Sequence, residues 1–253
     1  MTEKTHTDQV ALVTGAAQGL GKAIAKSLFN AGFAVVITDA NEGGAQDTAL
    51  EIDVSQERVL ALKLDVLHKN DFSDALEAAV ARFGKVDALV NNAAMTPTTP
   101  VMEISPEEFD KVVSVNMRGT FFGCQVFGQY FADNGYGRIV NLASLAGQNG
   151  GTASGAHYAS SKGAILTMTK IFARQLAESG VTVNAVAPGP IDLPSVRALV
   201  PPERLEQIIN EMIPVKALGN AEFVADMVTK LASPEASFVT GAAWDVNGGI
   251  FMR

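Results

Sequence analysis

Cysteine, tryptophan and positive charge are scarce in this chain of 253 residues. It has one cysteine, one tryptophan, three histidines and 7% aromatic residues. A single thiol excludes a disulfide framework within the chain, and no Cys/His spacing suggests a metal site. Cys124 lies in the apolar stretch Phe121–Phe127, where a packing thiol is expected rather than a nucleophile. Lys and Arg number 19 against 27 Asp and Glu, a formal charge of −8. That balance argues against a nucleic-acid partner, which demands clustered cations. No cationic amphipathic segment points to a membrane surface, and no apolar run reaches the roughly 18 residues of a membrane span. Met1–Gln9 is polar and lacks the apolar core of a signal segment. The expectation is a soluble cytoplasmic protein.

Glycine and aliphatic residues are plentiful: 23 glycines and 47% hydrophobic content, enough for one large domain over 1–253. Short β-branched runs at Val10–Thr14, Ala34–Asp39, Val59–Asp65, Val86–Asn91, Arg138–Ala143, Val181–Val186 and Ala243–Val246 alternate with segments of helical period. The helical segments are Leu20–Ala31, Gly43–Ile52, Asp71–Phe83, Pro106–Ala132, Tyr158–Glu178 and Glu222–Ala232. Such alternation predicts an α/β fold, a doubly wound parallel sheet of about seven strands with helices on both faces. Ser105-Pro106-Glu107-Glu108 is a helix start and Gly180 a helix stop. Pro188–Pro214 reads as a long loop with a short helix, a candidate substrate lid.

In open α/β sheets ligands bind outside the carboxyl ends of the strands, so the residues there carry the functional reading. The first strand runs into Thr14-Gly15-Ala16-Ala17-Gln18-Gly19-Leu20-Gly21, followed by a helix. Glycines there permit a tight turn and close approach of a pyrophosphate, and the helix N-terminus offers free N–H groups to an anion. Asp39 ends the second strand about 20 residues on. Its carboxylate can accept both ribose hydroxyls of NAD and would repel the 2′-phosphate of NADP, with no adjacent arginine to reverse the preference. Asp65 and Val66 could flank an adenine, and Asn91-Asn92-Ala93-Ala94 closes the fourth strand with two amides.

Ser144 closes the fifth strand. Downstream, Tyr158 and Lys162 stand at i and i+4, above an apolar stripe of Ile165, Met168, Phe172 and Leu176 that points them inward. A free phenol, with pKa near 10, is a poor base at neutral pH. A nearby lysine cation is expected to lower that value and bring Tyr158 into range for proton transfer. Ser144 can hold a substrate oxygen while charge develops on it. Asn116, an amide in the stripe of Phe109, Val112 and Val113, needs partners, which a relay water shared with Lys162 could supply.

With Thr14-Gly15-x-x-x-Gly19-x-Gly21, Asn91-Asn92-Ala93, Asn116, Ser144, Tyr158-x-x-x-Lys162 and Pro188-Gly189 in order, the sequence resembles the classical short-chain dehydrogenase/reductase family along essentially its whole length. The resemblance implies a Rossmann-like fold, an Asn116–Ser144–Tyr158–Lys162 tetrad, and hydride transfer between a nicotinamide cofactor and a secondary alcohol or ketone. It also implies that Lys162 bonds the nicotinamide ribose. Asn92 and the Pro188–Ile191 backbone would line the nicotinamide side, leaving Gly15, Gln18, Gly19, Leu20, Gly21, Asp39, Asp65 and Val66 to the rest of the cofactor. It further implies a homotetramer in which the Asn116 and Tyr158 helices pack against their mates. Asp245-Val-Asn-Gly-Gly249 is similar to 3-oxoacyl-thioester reductases of the family. Ala94 and Leu193 depart from its pattern, where a glycine and a threonine are commoner.

The expected function is therefore an NAD(H)-dependent alcohol dehydrogenase/ketone reductase. The alternative is a 3-oxoacyl-thioester (acyl carrier protein) reductase, which usually needs NADPH and a basic residue where this chain has Gln18 and Asp39. A methyltransferase would leave Ser144, Tyr158 and Lys162 without purpose, and a non-catalytic NAD-binding sensor would be expected to have a damaged tetrad. Met95, Ala146, Gln148, Asn149, Gly151, His157 and the segment Leu193–Met212 are the candidate pocket residues. With Arg197 and Arg204 expected as exposed helix charges, they suggest a neutral alcohol, cyclic ketone or polyol, and His157 is expected as packing or pocket wall.

Overall fold

A computed structural model of the chain describes residues 6–151 and 155–252; residues 1–5 and the side chains of Ser195 and Leu199, within the expected pocket segment, lie outside it. Seven parallel strands form one sheet in the order β3-β2-β1-β4-β5-β6-β7. They are β1 Val10–Thr14, β2 Ala34–Asp39, β3 Val59–Lys63, β4 Ala88–Asn91, β5 Gly137–Leu142, β6 Val181–Pro188 and β7 Ala243–Val246. Central runs without polar alternation, such as Val35-Val36-Ile37, have no exposed surface, as a strand covered on both faces requires. The helices doing the covering are α1 Gly19–Asn30, α2 Glu42–Ile52, α3 Lys69–Phe83, α5 Gly119–Asn134, α7 Ala156–Leu176 and α10 Ala221–Ala232. Helix α4 Pro106–Val113 packs on α7, and α6 Ala146–Asn149 is a single turn after β5. Two cores result. Ile24, Leu28, Ala49, Val224 and Val228 fill the side of α1, α2 and α10. Phe72, Phe127, Phe131 and Ala173 fill the side of α3, α5 and α7.

Polar caps set several helix ends. Ser105 Oγ accepts from Glu108 N at 3.2 Å to start α4, and Asn220 does the same for α10 through Phe223 N at 2.9 Å. Gly84 and Gly135 stop α3 and α5 in the left-handed conformation. Three sequence expectations need revision. The helix read as Pro106–Ala132 is interrupted by a π turn over Ser114–Arg118, which holds Asn116. The third strand stops at Lys63, so Asp65 lies beyond it. The proline-rich segment carries two short helices rather than one, α8 Pro194–Leu199 and α9 Pro202–Gln207.

The chain winds outward from β1 to β3, then returns to place β4 on the other side of β1. That reversal opens a crevice between the carboxyl ends of β1 and β4, the place a ligand takes in such sheets. Among the described residues no helix is long and apolar enough to cross a membrane. Among them no cluster of three or more His, Cys, Asp or Glu is placed to hold a metal. Cys124 is fully buried, and burial pushes its thiol up to about 12.

Candidate active site

A cavity of about 720 Å³ lies at that crevice, lined by Gly15, Gln18, Gly19, Leu20, Gly21, Asp39, Asp65, Val66 and Asn92. The glycine loop is built to admit an anionic group. A Cβ on Gly21 would stand 2.1 Å from Gly15 O, so α1 packs against the loop at a distance only glycine allows. Gly19 has φ +57° and nothing within 4 Å of where its Cβ would be, leaving open space at the helix start. Gln18 makes no side-chain cap, so the N–H groups of the first turn are free for a ligand. Asp39 Oδ2 accepts from Ala17 N at 3.1 Å and Oδ1 from Asn41 N at 3.0 Å, tying the carboxylate to the rim of the cleft. Asn92 Nδ2 is used on the carbonyls of Thr14 and Gly15, each at 2.9 Å, and so clamps the loop. Asp65 Oδ1 accepts from Leu67 N at 3.0 Å. A dinucleotide with its pyrophosphate at the loop fits these residues.

A second cavity of about 270 Å³ adjoins the first, with Ser144 and Tyr158 in its wall. Ser144 follows β5, and its Oγ accepts from Ala146 N at 3.1 Å. The Tyr158 phenol, on the first turn of α7, lines the smaller cavity beside Ser144 and Thr96, whose hydroxyls act to lower its pKa. Lys162 is buried one turn on; its Nζ donates to Leu142 O at 2.5 Å and lies 5.7 Å from the Tyr158 ring centroid. The electrostatics differ from the sequence expectation. Burial raises the Tyr158 phenol above its ordinary value, opposed by the Ser144 and Thr96 hydroxyls, and burial drives Lys162 down to about 8. Desolvation decides both shifts: the smaller cavity is lined mostly by apolar side chains, and Lys162 Nζ is turned to the Leu142 carbonyl.

Asn116 is fully buried, and its side chain takes its partners from the protein rather than from a relay water. Its Oδ1 accepts from Met95 N at 2.8 Å, and Nδ2 donates to Met95 O and Ser161 Oγ, each at 3.0 Å.

A family model described as enoyl-(acyl carrier protein) reductase matches residues 15–251. The 3-oxoacyl-[acyl-carrier-protein] reductases of Vibrio cholerae and Escherichia coli are each 36% identical over 244 and 246 residues, covering 96% of this chain and 98% of theirs. The Thermotoga maritima reductase of the same name is 34% identical. A solved Brucella melitensis structure, a short-chain dehydrogenase/reductase of glucose/ribitol dehydrogenase type, aligns over the whole of both chains with TM-score 0.87 and 33% identity. The chain belongs to the short-chain dehydrogenase/reductase family. It is thus an oxidoreductase of the CH–OH class on a Rossmann-like sheet.

Within this short-chain dehydrogenase/reductase several expected residues fall elsewhere. Ala146, Asn149 and Gly151 line the smaller cavity with Pro188, Gly189, Val196, Val200, Leu205, Ile208 and Met212. Met95 lines the larger cavity instead, as do Ala94 and Leu193. Gln148 turns away to Asp245, with Nε2 2.5 Å from Oδ1. Ile191 packs into the core, where it bridges Gly219, and lines neither cavity. His157 is no pocket wall; it is fully buried against Glu108 of α4 at 2.8 Å. Arg197 is held by Asp192 through Nε at 2.6 Å on the exposed surface, and Arg204 bonds Gln207 on the same segment. Sequence reasoning missed Thr96, Thr98, Leu145 and Ile250 of the smaller cavity. Only proximity in sequence to Asn91–Ala94 could have flagged the two threonines.

Proposed function

We propose that the chain interconverts a secondary alcohol and a ketone with NAD(H), preferred over NADP(H), using Tyr158 as general acid and base. The observation that supports this most is the junction of the two cavities. A hydroxyl pair, Ser144 and Tyr158, faces the smaller, and the larger is rimmed by Asp39 at the end of β2. Gly15 to Gly21 would hold the pyrophosphate, Asp39 the adenosine ribose, Asp65 and Val66 the adenine, and Asn92, Pro188 and Gly189 the nicotinamide side. Bound there, the nicotinamide supplies hydride to the carbonyl carbon or takes it from the alcohol. In reduction Ser144 holds the substrate oxygen, and the Tyr158 hydroxyl gives that oxygen its proton. Lys162 stabilises the phenolate left behind and binds the nicotinamide ribose. Asn116 acts on this group from the π turn, through the backbone of Met95. The segment 188–214 closes over the substrate as a lid.

The apolar side chains Val196, Val200, Leu205, Ile208, Met212 and Ile250 favour a ketone with an alkyl or acyl tail over a polyol. A 3-oxoacyl thioester on acyl carrier protein is the second reading, favoured by the names of the relatives and by this lining. Gln18 and Asp39 in place of basic residues argue that even this reaction would use NADH. We infer a cytoplasmic homotetramer. The test follows NADH and NADPH absorbance with 2-octanone, cyclohexanone and acetoacetyl-coenzyme A. NADH-linked reduction of a tailed ketone, lost by at least a thousandfold in Tyr158→Phe, is the expected result. Wild-type preference for NADPH, or an active Tyr158→Phe, would overturn it.

A further inference from the structure

We propose that Thr96 is a further catalytic residue, whose hydroxyl donates to the Tyr158 oxygen once that oxygen has lost its proton. The proposal rests on the reading of Tyr158 as acid and base. Among the described residues, Thr96 alone lines both cavities. Its neighbours are fixed on both sides. Met95 is bonded at N and O by the Asn116 amide, at 2.8 and 3.0 Å, and Pro97 O accepts from Gly155 N at 3.0 Å, one residue before α7 begins. The hydroxyl between these two clamps stands in the wall of the smaller cavity with Tyr158 and Ser144, and both hydroxyls act to hold the phenol's pKa down.

Counting protons distinguishes the two hydroxyls. A serine hydroxyl has one hydrogen to give. If Ser144 donates it to the substrate oxygen, it has none for the phenolate. Lys162 Nζ donates to Leu142 O and sits 5.7 Å from the ring centroid, so it acts on the phenolate as a nearby charge. Thr96 then supplies the remaining neutral donor, and a hydrogen bond to a buried anion is among the stronger ones. No bond other than O–H is made or broken. The proton leaves Tyr158 for the alkoxide, and the Thr96 hydroxyl rotates from accepting to donating. Of the ionisable groups on the elements packed here, Lys162 of α7 faces the phenol ring. His157, also on α7, is turned to Glu108 of α4.

Replacing Thr96 by Val keeps the shape and removes the donor. In oxidation of the alcohol product of the best panel ketone, which requires the phenolate, Thr96→Val should lower kcat about tenfold. It should also raise the midpoint of the pH–rate profile by about one pH unit. Thr96→Ser should restore both. Thr96→Ala, smaller and free of added bulk, should repeat the shift, and melting temperatures report whether each variant is folded. An unmoved midpoint in a folded Val or Ala variant, or a change confined to KM, overturns the proposal. Tyr158→Phe runs in parallel. If it is active, the acid–base reading itself fails; if it is dead while Thr96→Val keeps the wild-type profile, only the role of Thr96 is lost.

Discussion

Asp39 shows how one side chain can serve the protein and a ligand together. Each of its oxygens already accepts a backbone N–H, from Ala17 and from Asn41. A carboxylate oxygen has a second lone pair, so both remain able to accept ribose hydroxyls. Its charge is what would repel a 2′-phosphate. Asp39→Asn retains one acceptor and the size of the group but removes the charge. Steady-state kinetics should show kcat/KM for NADH falling roughly tenfold, by the loss of a charged hydrogen bond. The ratio of NADPH to NADH activity should rise by at least as much; an unchanged ratio would remove Asp39 from cofactor selection. Residues of this kind were legible because regular elements place them: Asp39 and Ser144 at strand ends, Tyr158 and Lys162 one helical turn apart. Thr96 was not legible. It stands in Met95-Thr-Pro-Thr-Thr-Pro100, a segment without period, and acquires its partner only when β4 and α7 come together.

The β1–α1 turn is the element on which cofactor binding depends, and its glycines do different work. At Gly21 an added methyl would meet Gly15 O at 2.1 Å and Asn92 Nδ2 at 2.5 Å, both part of a rigid clamp. Gly21→Ala should therefore destabilise the free protein by about 1–3 kcal/mol, seen as a lower melting temperature without any nucleotide. At Gly19 the methyl would meet nothing, and the cost is the left-handed backbone alone, about 1–2 kcal/mol at most. Gly19→Ala should lose NADH affinity out of proportion to its stability, because the added methyl takes space a phosphate would fill. Equal NADH titrations for Gly19→Ala and wild type would mean the anion lies elsewhere. Caps and glycine stops made the neighbouring element boundaries readable within two or three residues. The π turn at Asn116 had no such signal. Its extra residue arises where the amide must reach Met95, a tertiary demand with no local sequence pattern.

At the scale of the whole molecule, the helices that carry the site also carry its exposed apolar surface. Phe109 is 46% exposed on α4, Phe121 38% on α5 and Ile171 58% on α7. Phe121 packs on Phe172 of α7 with ring centroids 5.8 Å apart, so the α5 and α7 residues form one patch. This patch is where the proposed homotetramer would make contact, and a two-fold axis would cover it with its own copy. The interface would then brace, from outside, the helices that hold Asn116 and Tyr158. One two-fold contact joins two copies, and the proposed homotetramer needs a second. Light scattering should therefore find at least two copies from this patch, and four only if another face also pairs. Phe121→Glu with Ile171→Glu should split the pair across this patch, since carboxylates facing each other across the axis cannot be buried without partners. Activity should fall with dissociation and return with protein concentration, because assembly stabilises the folded subunit by mass action. A wild-type monomer would show that the patch has another purpose. A double variant that stays tetrameric would place the contact on a different face, and Phe223 of α10, 54% exposed, and Phe238, fully exposed, are where that face would be sought.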